Sequence, residues 1–277
     1  GLAVTAVLQS SSAATVMVIG FVSAGLLELP RAVAVIYGIN IGTTMTAQLI
    51  AFDVQTLVYP VLFLGFLLDF AARRPRWQAV GEAVFSFGLL FEGIDILGRA
   101  LQPLAGQAVF LDWMTRVKES PLLGILLGLS MTMVVQSSSA TIALLQNVAR
   151  QAGPDGIHSV LGLAGALPIL LGDNIGTTVT AVLASVGQSR DAKRLAAAHA
   201  LFNLSGAAVC WLLLPQFTAL VRLVSPHGPE SAVLARQIAN AHTLFNLGCT
   251  VLWLPLTPCM VRIVCILLPE KHAPELK

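Results

Sequence analysis

Eight apolar stretches follow one another along the chain, separated by short polar or charged segments. Each is near or above the length of about 20 residues that a helix needs to cross a bilayer. An open sheet is excluded because its edge groups would have no hydrogen-bond partners in lipid. The pattern therefore predicts an all-α polytopic membrane protein. The stretches are residues 1–27, 32–52, 56–72, 78–101, 121–148, 159–186, 195–214 and 232–268.

Composition agrees with a membrane protein and narrows its partners. Of the 277 residues, 56% are hydrophobic and 11% are charged, whereas soluble domains carry about 25% charged residues. The formal net charge of +2 gives no basic field for nucleic acid. The four cysteines have no metal-type spacing, and we interpret them as small buried apolar groups. The sequence thus predicts a lipid bilayer as partner and no nucleic acid.

Two polar motifs interrupt the apolar stretches, and each occurs twice in the same order. QSSSA at 9–13 returns at 136–140, and GINIGTTMTAQL at 38–49 returns as GDNIGTTVTAVL at 172–183. Ordered duplication of two motifs indicates two related halves. We assign 1–77 to a first repeat, 78–231 to a second repeat, and 232–277 to C-terminal helices and a short tail. The leading helix of the second repeat, around 87–98, has no counterpart before the first QSSS, so we expect one to be missing there.

Charge placement predicts that the two repeats have opposite orientations. The loop after the first NIGTT, around Asp53, has no Lys or Arg, whereas the equivalent loop at 189–194 is basic. Equivalent loops of opposite character favour opposite sides of the membrane, which is typical of inverted repeats. If the basic loops 72–76 and 189–194 are both cytoplasmic, an even number of crossings separates them. This requires 121–148 to be a re-entrant hairpin with QSSS at its tip, and 1–27 likewise.

The polar tips need partners at membrane depth. Ser12 and Ser139 are candidate N-caps of the outgoing arms, and Asn40 and Asn174 with the following threonines are candidate caps of restarted half-helices. Each NIGTT segment is therefore expected to be a broken helix, with its glycines allowing a bend or a close approach. Up to four helix N-termini and a ring of hydroxyls would then face one point, which suits an oxyanion.

Oxygen-bearing side chains beside the hydroxyls suit a hard cation such as sodium. The candidates are Gln9, Gln136, Asn40, Asn174 and Asp173. A packing role remains an alternative, because Ser, Thr and Gly are enriched where transmembrane helices meet and both NIGTT segments fit the small-xxx-small pattern. A further similarity, AHALFN at 198–203 and AHTLFN at 241–246, has a different spacing. We interpret it as a helix-packing pattern with His199 and His242 as satisfied interior groups.

QSSSA followed by GxNIGTTxTA, in two copies, resembles the sodium-dependent phosphate cotransporter type II family in its bacterial branch. The segment 239–258 resembles a late helix of that family. The resemblance implies sodium-coupled transport of inorganic phosphate by alternating access in the cytoplasmic membrane, with Na⁺ as the coupling ion and no other cofactor. It places sodium at or beside Gln9, Gln136, Asn40, Asn174 and Asp173. It places phosphate among Ser10, Ser11, Ser12, Ser137, Ser138, Ser139, Thr43, Thr44, Thr177 and Thr178.

Three other functions are alternatives to sodium-coupled phosphate transport. A transporter of another oxyanion, such as sulfate or a dicarboxylate, is the main alternative. An intramembrane enzyme is disfavoured because the chain has no HExxH, no GxSxG and no serine with an obvious His and Asp partner. A channel is disfavoured as well, because it would need neither inverted carrier halves nor occluding tips. Oligomeric state, stoichiometry and direction of transport stay open.

Overall fold

The fold is all-helical in the computed structural model, which describes residues 1–52, 55–153, 155 and 157–270. Within these residues there are fourteen helices and one isolated bridge, between Ala152 and Ser159. The helices are Leu2–Leu8 (α1), Ser11–Ser23 (α2), Leu29–Ile50 (α3), Gln55–Ala71 (α4), Pro75–Ala105 (α5), Ala108–Glu119 (α6), Pro121–Val135 (α7), Ser138–Arg150 (α8), Gly162–Gly176 (α9), Thr178–Ala184 (α10), Arg190–Leu212 (α11), Leu214–Leu223 (α12), Glu230–Trp253 (α13) and Thr257–Leu267 (α14).

Three helical segments are long and apolar enough to cross a membrane: α3, α9 together with α10, and α11. At 1.5 Å per residue, 22 residues in α3 span about 33 Å, the thickness of a hydrocarbon core. Two bent pairs add up to two more spans: α6 and α7 meet at 114°, and α13 and α14 at 86°. The expectation of a multi-pass α-helical membrane protein is confirmed. Several apolar stretches, however, are divided between two helices rather than forming one.

Each QSSS motif lies at a break between two helices. Gln9 ends α1 and Gln136 ends α7, both with left-handed backbone at φ 52° and 57°. The outgoing helices α2 and α8 each have 13 residues. This is the helix–turn–helix arrangement expected of a hairpin tip. The re-entrant path through a membrane stays a prediction.

The caps of the outgoing helices differ from those expected. Ser10 and Ser137 cap α2 and α8, accepting from the backbone N–H of Ala13 and Ala140 at 3.2 and 3.3 Å. The expectation for the third serine of each motif was wrong. The left-handed glutamine reverses the chain, so the first serine has the extended φ that an N-cap requires, and the third already belongs to the first helical turn.

The NIGTT segments are not broken helices in the way the sequence suggests. In the first copy α3 runs unbroken through the motif. Asn40 and Thr43 donate to the carbonyls of Ile36 and Ile39 at 2.9 and 3.0 Å, within their own helix. In the second copy α9 passes into α10 through Thr177, whose φ of −58° and ψ of −26° are helical. The expected restart is therefore wrong in the first copy. In the second copy a new helix does begin after Thr177, but Thr177 donates its N–H to Asp173 O at 3.0 Å and the backbone stays helical across the break.

The glycines of these segments serve close packing instead. A Cβ on Gly42 would lie 2.7 Å from Thr5 Cβ, and a Cβ on Gly176 would lie 2.7 Å from Thr132 Cβ. The hairpin arms α1 and α7 thus press directly on α3 and α9. Of the two expected roles for these glycines, close approach is confirmed and bending is wrong.

Helices α11 and α13 each pack against helices that carry both pairs of duplicated motifs. Helix α11 packs on α2, α3 and α9, while α13 packs on α3, α8 and α9. By contrast, α4 and α5 pack chiefly against each other. The loop at Asp53, on which the charge comparison depends, lies outside the described residues, so the inverted orientation stays a prediction.

Candidate functional site

A buried polar cavity lies where α2, α3, α9, α10, α11 and α13 meet. Its volume of about 10 Å³ is room for about one water molecule. Among the residues that the structure describes, the lining contains no Lys, Arg, Asp or Glu. The lining residues are Ser11, Ser12, Thr15, Ile39, Asn40, Thr43, Asn174, Thr177, Thr180, His199 and His242.

The first hairpin tip enters this cavity directly. Ser11 and Ser12 form the first turn of α2, and both line the cavity. The side chain of Ser10 satisfies the N–H of Ala13, and the helix dipole places partial positive charge at this end. Two serines and the positive end of α2 therefore lie at the cavity together, an arrangement that favours a bound anion.

The second hairpin tip reaches the cavity wall through its glutamine. Gln136 Oε1 accepts from the hydroxyl of Thr180 at 3.3 Å, and Thr180 lines the cavity. The first copy repeats this contact, since Gln9 Oε1 accepts from Thr46 at 2.5 Å. Each glutamine also donates to its own arm, at Ala6 or Met133. The glutamines thus fasten each tip to the NIGTT helix of its own repeat.

The predicted phosphate residues fall into two groups. Ser11, Ser12, Thr43 and Thr177 line the cavity. The remaining ones are outside its lining: Ser10, Ser137, Ser138, Ser139, Thr44 and Thr178. Thr44 and Thr178 donate within their own helices, to Ile41 and Ile175 at 2.8 and 2.7 Å. Of the four helix N-termini expected to converge, that of α2 lines this cavity, whereas that of α8 lies outside the described lining.

The predicted sodium residues are also divided. Asn40 and Asn174 line the cavity, while Gln9 and Gln136 contact its surroundings through threonines. Asp173 is fully buried just behind the lining, and its Oδ1 accepts from the Thr132 hydroxyl at 2.6 Å.

Two cavity residues were assigned only a packing role from the sequence. His199 and His242 lie in AHALFN and AHTLFN, on α11 and α13, and both line the cavity. The signal that could have revealed them is the repetition of the hexapeptide itself. Its spacing differs from that of the QSSS and NIGTT copies, so it could not be aligned with the hairpins. The structure brings both NIGTT copies, both hexapeptides and the first QSSS tip to one cavity, and the second QSSS reaches its wall through Gln136.

Comparison with known proteins decides the family. A family model described as Na+/Pi-cotransporter matches residues 1–99 and again residues 89–222. The chain belongs to this Na+/Pi-cotransporter family. Each match contains one QSSS and one NIGTT motif. The resemblance that the duplicated motifs carry is thereby confirmed.

Individual relatives in the Na+/Pi-cotransporter family cover the chain to different extents. An uncharacterized protein of Bacillus subtilis, YqeW, is 35% identical over 96% of this chain and 82% of its own length. The putative inorganic phosphate export protein YjbB of Escherichia coli is 27% identical over 76% of this chain, but only 37% of its own length is matched. The human sodium-dependent phosphate transport protein 2B is 29% identical over 46% of this chain and 19% of its own length. No solved structure matches this chain.

Proposed function

We propose that this chain carries inorganic phosphate across the cytoplasmic membrane, coupled to sodium, by alternating access. The observation that carries the proposal is that the first QSSS tip, both NIGTT segments and the two histidine segments line one buried polar cavity. Polar groups at membrane depth are costly unless they bind one another or a polar guest. Membership of the Na+/Pi-cotransporter family and the names of the phosphate-transporting relatives point to the same substrate.

The cavity wall suits a phosphate that must be released again. Ser11 and Ser12 supply hydroxyls at the N-terminus of α2. The hydroxyls of Thr43 and Thr177, which donate to Ile39 O and Asn174 O, also line the cavity. Because the lining holds no Lys or Arg among the described residues, binding depends on the serine hydroxyls and the N-terminus of α2 rather than on one strong ion pair. Another tetrahedral oxyanion, sulfate, or a dicarboxylate is the alternative cargo.

The small size of the cavity supports alternating access. Its volume of about 10 Å³ admits one water, which is too little for an anion with four oxygens. The walls come from both repeats, α2 and α3 from the first and α9 and α10 from the second. Separation of these walls on either side would admit and release the substrate, as expected for carriers built from paired repeats.

The test is uptake of ³²P-labelled phosphate into proteoliposomes that contain the purified chain. We expect an inward sodium gradient to drive uptake and an equal potassium gradient to fail. Arsenate should compete, and excess sulfate or succinate should not. Equal uptake under both gradients would reject sodium coupling, and stronger competition by sulfate or succinate would reject phosphate as the cargo.

Replacing Ser11 with alanine is expected to raise the KM for phosphate about 10-fold or more, since a hydrogen bond to a charged group contributes about 1.5–3 kcal/mol. Ser138→Ala, in the second tip, should have a smaller effect, because Ser138 lies outside the cavity lining. Concentration-dependent ³²P uptake measures both. Ser130→Ala is the matched control: its exposed hydroxyl donates to Leu126 O within α7. An unchanged KM in Ser11→Ala would remove this residue from the phosphate site.

A further inference from the structure

The two histidines of the cavity wall have no part in the function proposed above. His199 on α11 and His242 on α13 are 4% and 2% exposed, and both line the cavity. They occupy the same position in the duplicated segments 198–203 and 241–246. A purely packing role would not require the same buried polar residue at one cavity from two different helices.

The first histidine belongs to a small network around Asn40. Asn203 donates through Nδ2 to His199 O at 3.1 Å and to Asn40 Oδ1 at 3.5 Å. His199 Nε2 lies 3.4 Å from the same Asn40 oxygen. Helix α11 is thereby joined to the NIGTT segment of the first repeat.

The second histidine has an equivalent network around Asn174. Asn246 donates through Nδ2 to His242 O at 3.0 Å and to Asn174 Oδ1 at 3.3 Å. Asn246 of α13 therefore contacts the NIGTT asparagine of the second repeat as Asn203 of α11 contacts that of the first. In both networks, an asparagine four residues after the histidine donates to the histidine carbonyl and to the NIGTT asparagine.

The hydrogen bonds of Asn40 fix which nitrogen of His199 accepts. Asn40 Nδ2 donates to Ile36 O at 2.9 Å, so its Oδ1 is the atom that faces His199. An amide oxygen only accepts, and therefore Nε2 of the neutral ring carries the hydrogen and Nδ1 has a lone pair. Among the described residues, Nδ1 of His199 and Nδ1 of His242 are buried without a hydrogen-bond partner. We assign His242 the same tautomer, because its Nδ1 is likewise buried without a partner and its segment makes the same asparagine contacts.

We propose that His199 and His242 select oxyanions that carry a hydroxyl, by accepting a hydrogen bond from the substrate O–H at Nδ1. The inference rests on the proposed function and specifies the substrate class of the same cavity. Phosphate and arsenate keep at least one O–H at neutral pH, whereas sulfate has none. An oxyanion without an O–H places an anionic oxygen against the Nδ1 lone pair. The nitrogen and the oxygen then face each other in a buried site with no hydrogen between them, and such sites reject analogues that lack the hydrogen.

The experiment compares phosphate with monofluorophosphate, in which fluorine replaces the hydroxyl at nearly the same size. Inhibition of ³²P-phosphate uptake is measured in proteoliposomes under a sodium gradient. For the unmodified chain we expect monofluorophosphate and sulfate to inhibit at least about 10-fold more weakly than arsenate. In His199→Gln/His242→Gln, the amide replaces the Nε2 donor but not the Nδ1 acceptor. Its KM for phosphate should rise about 10-fold, and its preference for arsenate over monofluorophosphate should fall to about threefold or less.

Two further variants make the result specific. His199→Asn/His242→Asn places an amide oxygen near the Nδ1 position and should retain most of the discrimination. His227→Gln, in an exposed loop, should behave like the parent. No ³²P uptake by the unmodified chain would reject the proposed function itself. Uptake with the same discrimination in the parent and the Gln pair would overturn only the role of the histidines.

A readout on the unmodified chain covers the case in which the variants do not fold. Phosphate at millimolar concentration should raise the thermal unfolding temperature in the presence of sodium, and monofluorophosphate at the same concentration should raise it much less. Equal protection by the two anions would overturn the proposal without any substitution.

Discussion

Replacing Gly172 with leucine is expected to abolish the folded protein. A Cβ at Gly172 would lie 2.0 Å from Ile125 O and 2.8 Å from Leu129 N, and both are backbone atoms of α7. The contact is reciprocal, since a Cβ at Gly128 would lie 1.9 Å from Ile169 O on α9. Backbone atoms cannot rotate away as a side chain can. Overpacking usually lowers the free energy of unfolding by about 1–3 kcal/mol, and even alanine at this position should lower it by more. Leucine should separate α7 from α9.

The measurement is the yield of monodisperse protein extracted from membranes, together with its thermal unfolding temperature. Gly93→Leu and Gly248→Leu are matched controls, because a Cβ at either position meets nothing within 4 Å. Both should be recovered in parental yield and should unfold at the parental temperature. Recovery of Gly172→Leu with an unchanged unfolding temperature would contradict the direct backbone contact between α7 and α9.

The tips of the hairpins could be predicted from sequence because local chemistry determines them. A glutamine followed by serines between two apolar arms predicts a break with a polar cap, and the structure has left-handed backbone at Gln9 and Gln136. Only the identity of the capping serine was wrong. It depends on a single backbone dihedral before the cap, which composition does not reveal.

The continuity of α3 could not be predicted from its own residues. Asn40, Thr43 and two glycines are typical of a helix break, and either outcome satisfies their side chains. Packing decides between them: the glycines place α1 directly on α3, and a straight helix preserves that contact along its length. The polar side chains then bond within their helix at Ile36 and Ile39.

The polar wall formed by α11 and α13 was missed for a different reason. His199 and His242 are separated by a spacing that belongs to neither of the other repeats, so no linear comparison places them beside the hairpin tips. Their position follows from the packing of α11 and α13 against helices of both repeats. Long-range packing of this kind is absent from local sequence patterns.

The second large effect is expected at Asp173. Its side chain is 0% exposed, and Oδ1 accepts from Thr132 at 2.6 Å. Oδ2 is buried without a hydrogen-bond partner among the described residues. A buried carboxylate that lacks a partner is strongly destabilising unless a cation or a proton neutralises it. Sodium bound at Oδ2 would provide that charge, and Thr141, which Thr132 contacts at 3.2 Å, adds a further hydroxyl oxygen.

The first repeat lacks this arrangement. Ile39 occupies the position of Asp173, Ala14 that of Thr141, and Thr5 that of Thr132. Only the threonine is common to both copies, and its hydroxyl in the first copy has no hydrogen-bond partner among the described residues. The two repeats therefore cannot bind a cation equally at this position. A sodium site here belongs to the second repeat alone.

We therefore expect Asp173→Asn to raise the sodium concentration for half-maximal phosphate uptake about 10-fold or more, since asparagine keeps the shape and the bond from Thr132 but loses the charge. The phosphate KM measured at saturating sodium should change much less, because Asp173 lies outside the cavity lining. Sodium titrations of ³²P uptake separate the two effects. Thr5→Val, at the equivalent position to Thr132, is the control and should leave the sodium curve unchanged. A parental sodium curve in a folded Asp173→Asn variant would show that the carboxyl serves packing, and would place the coupling ion elsewhere.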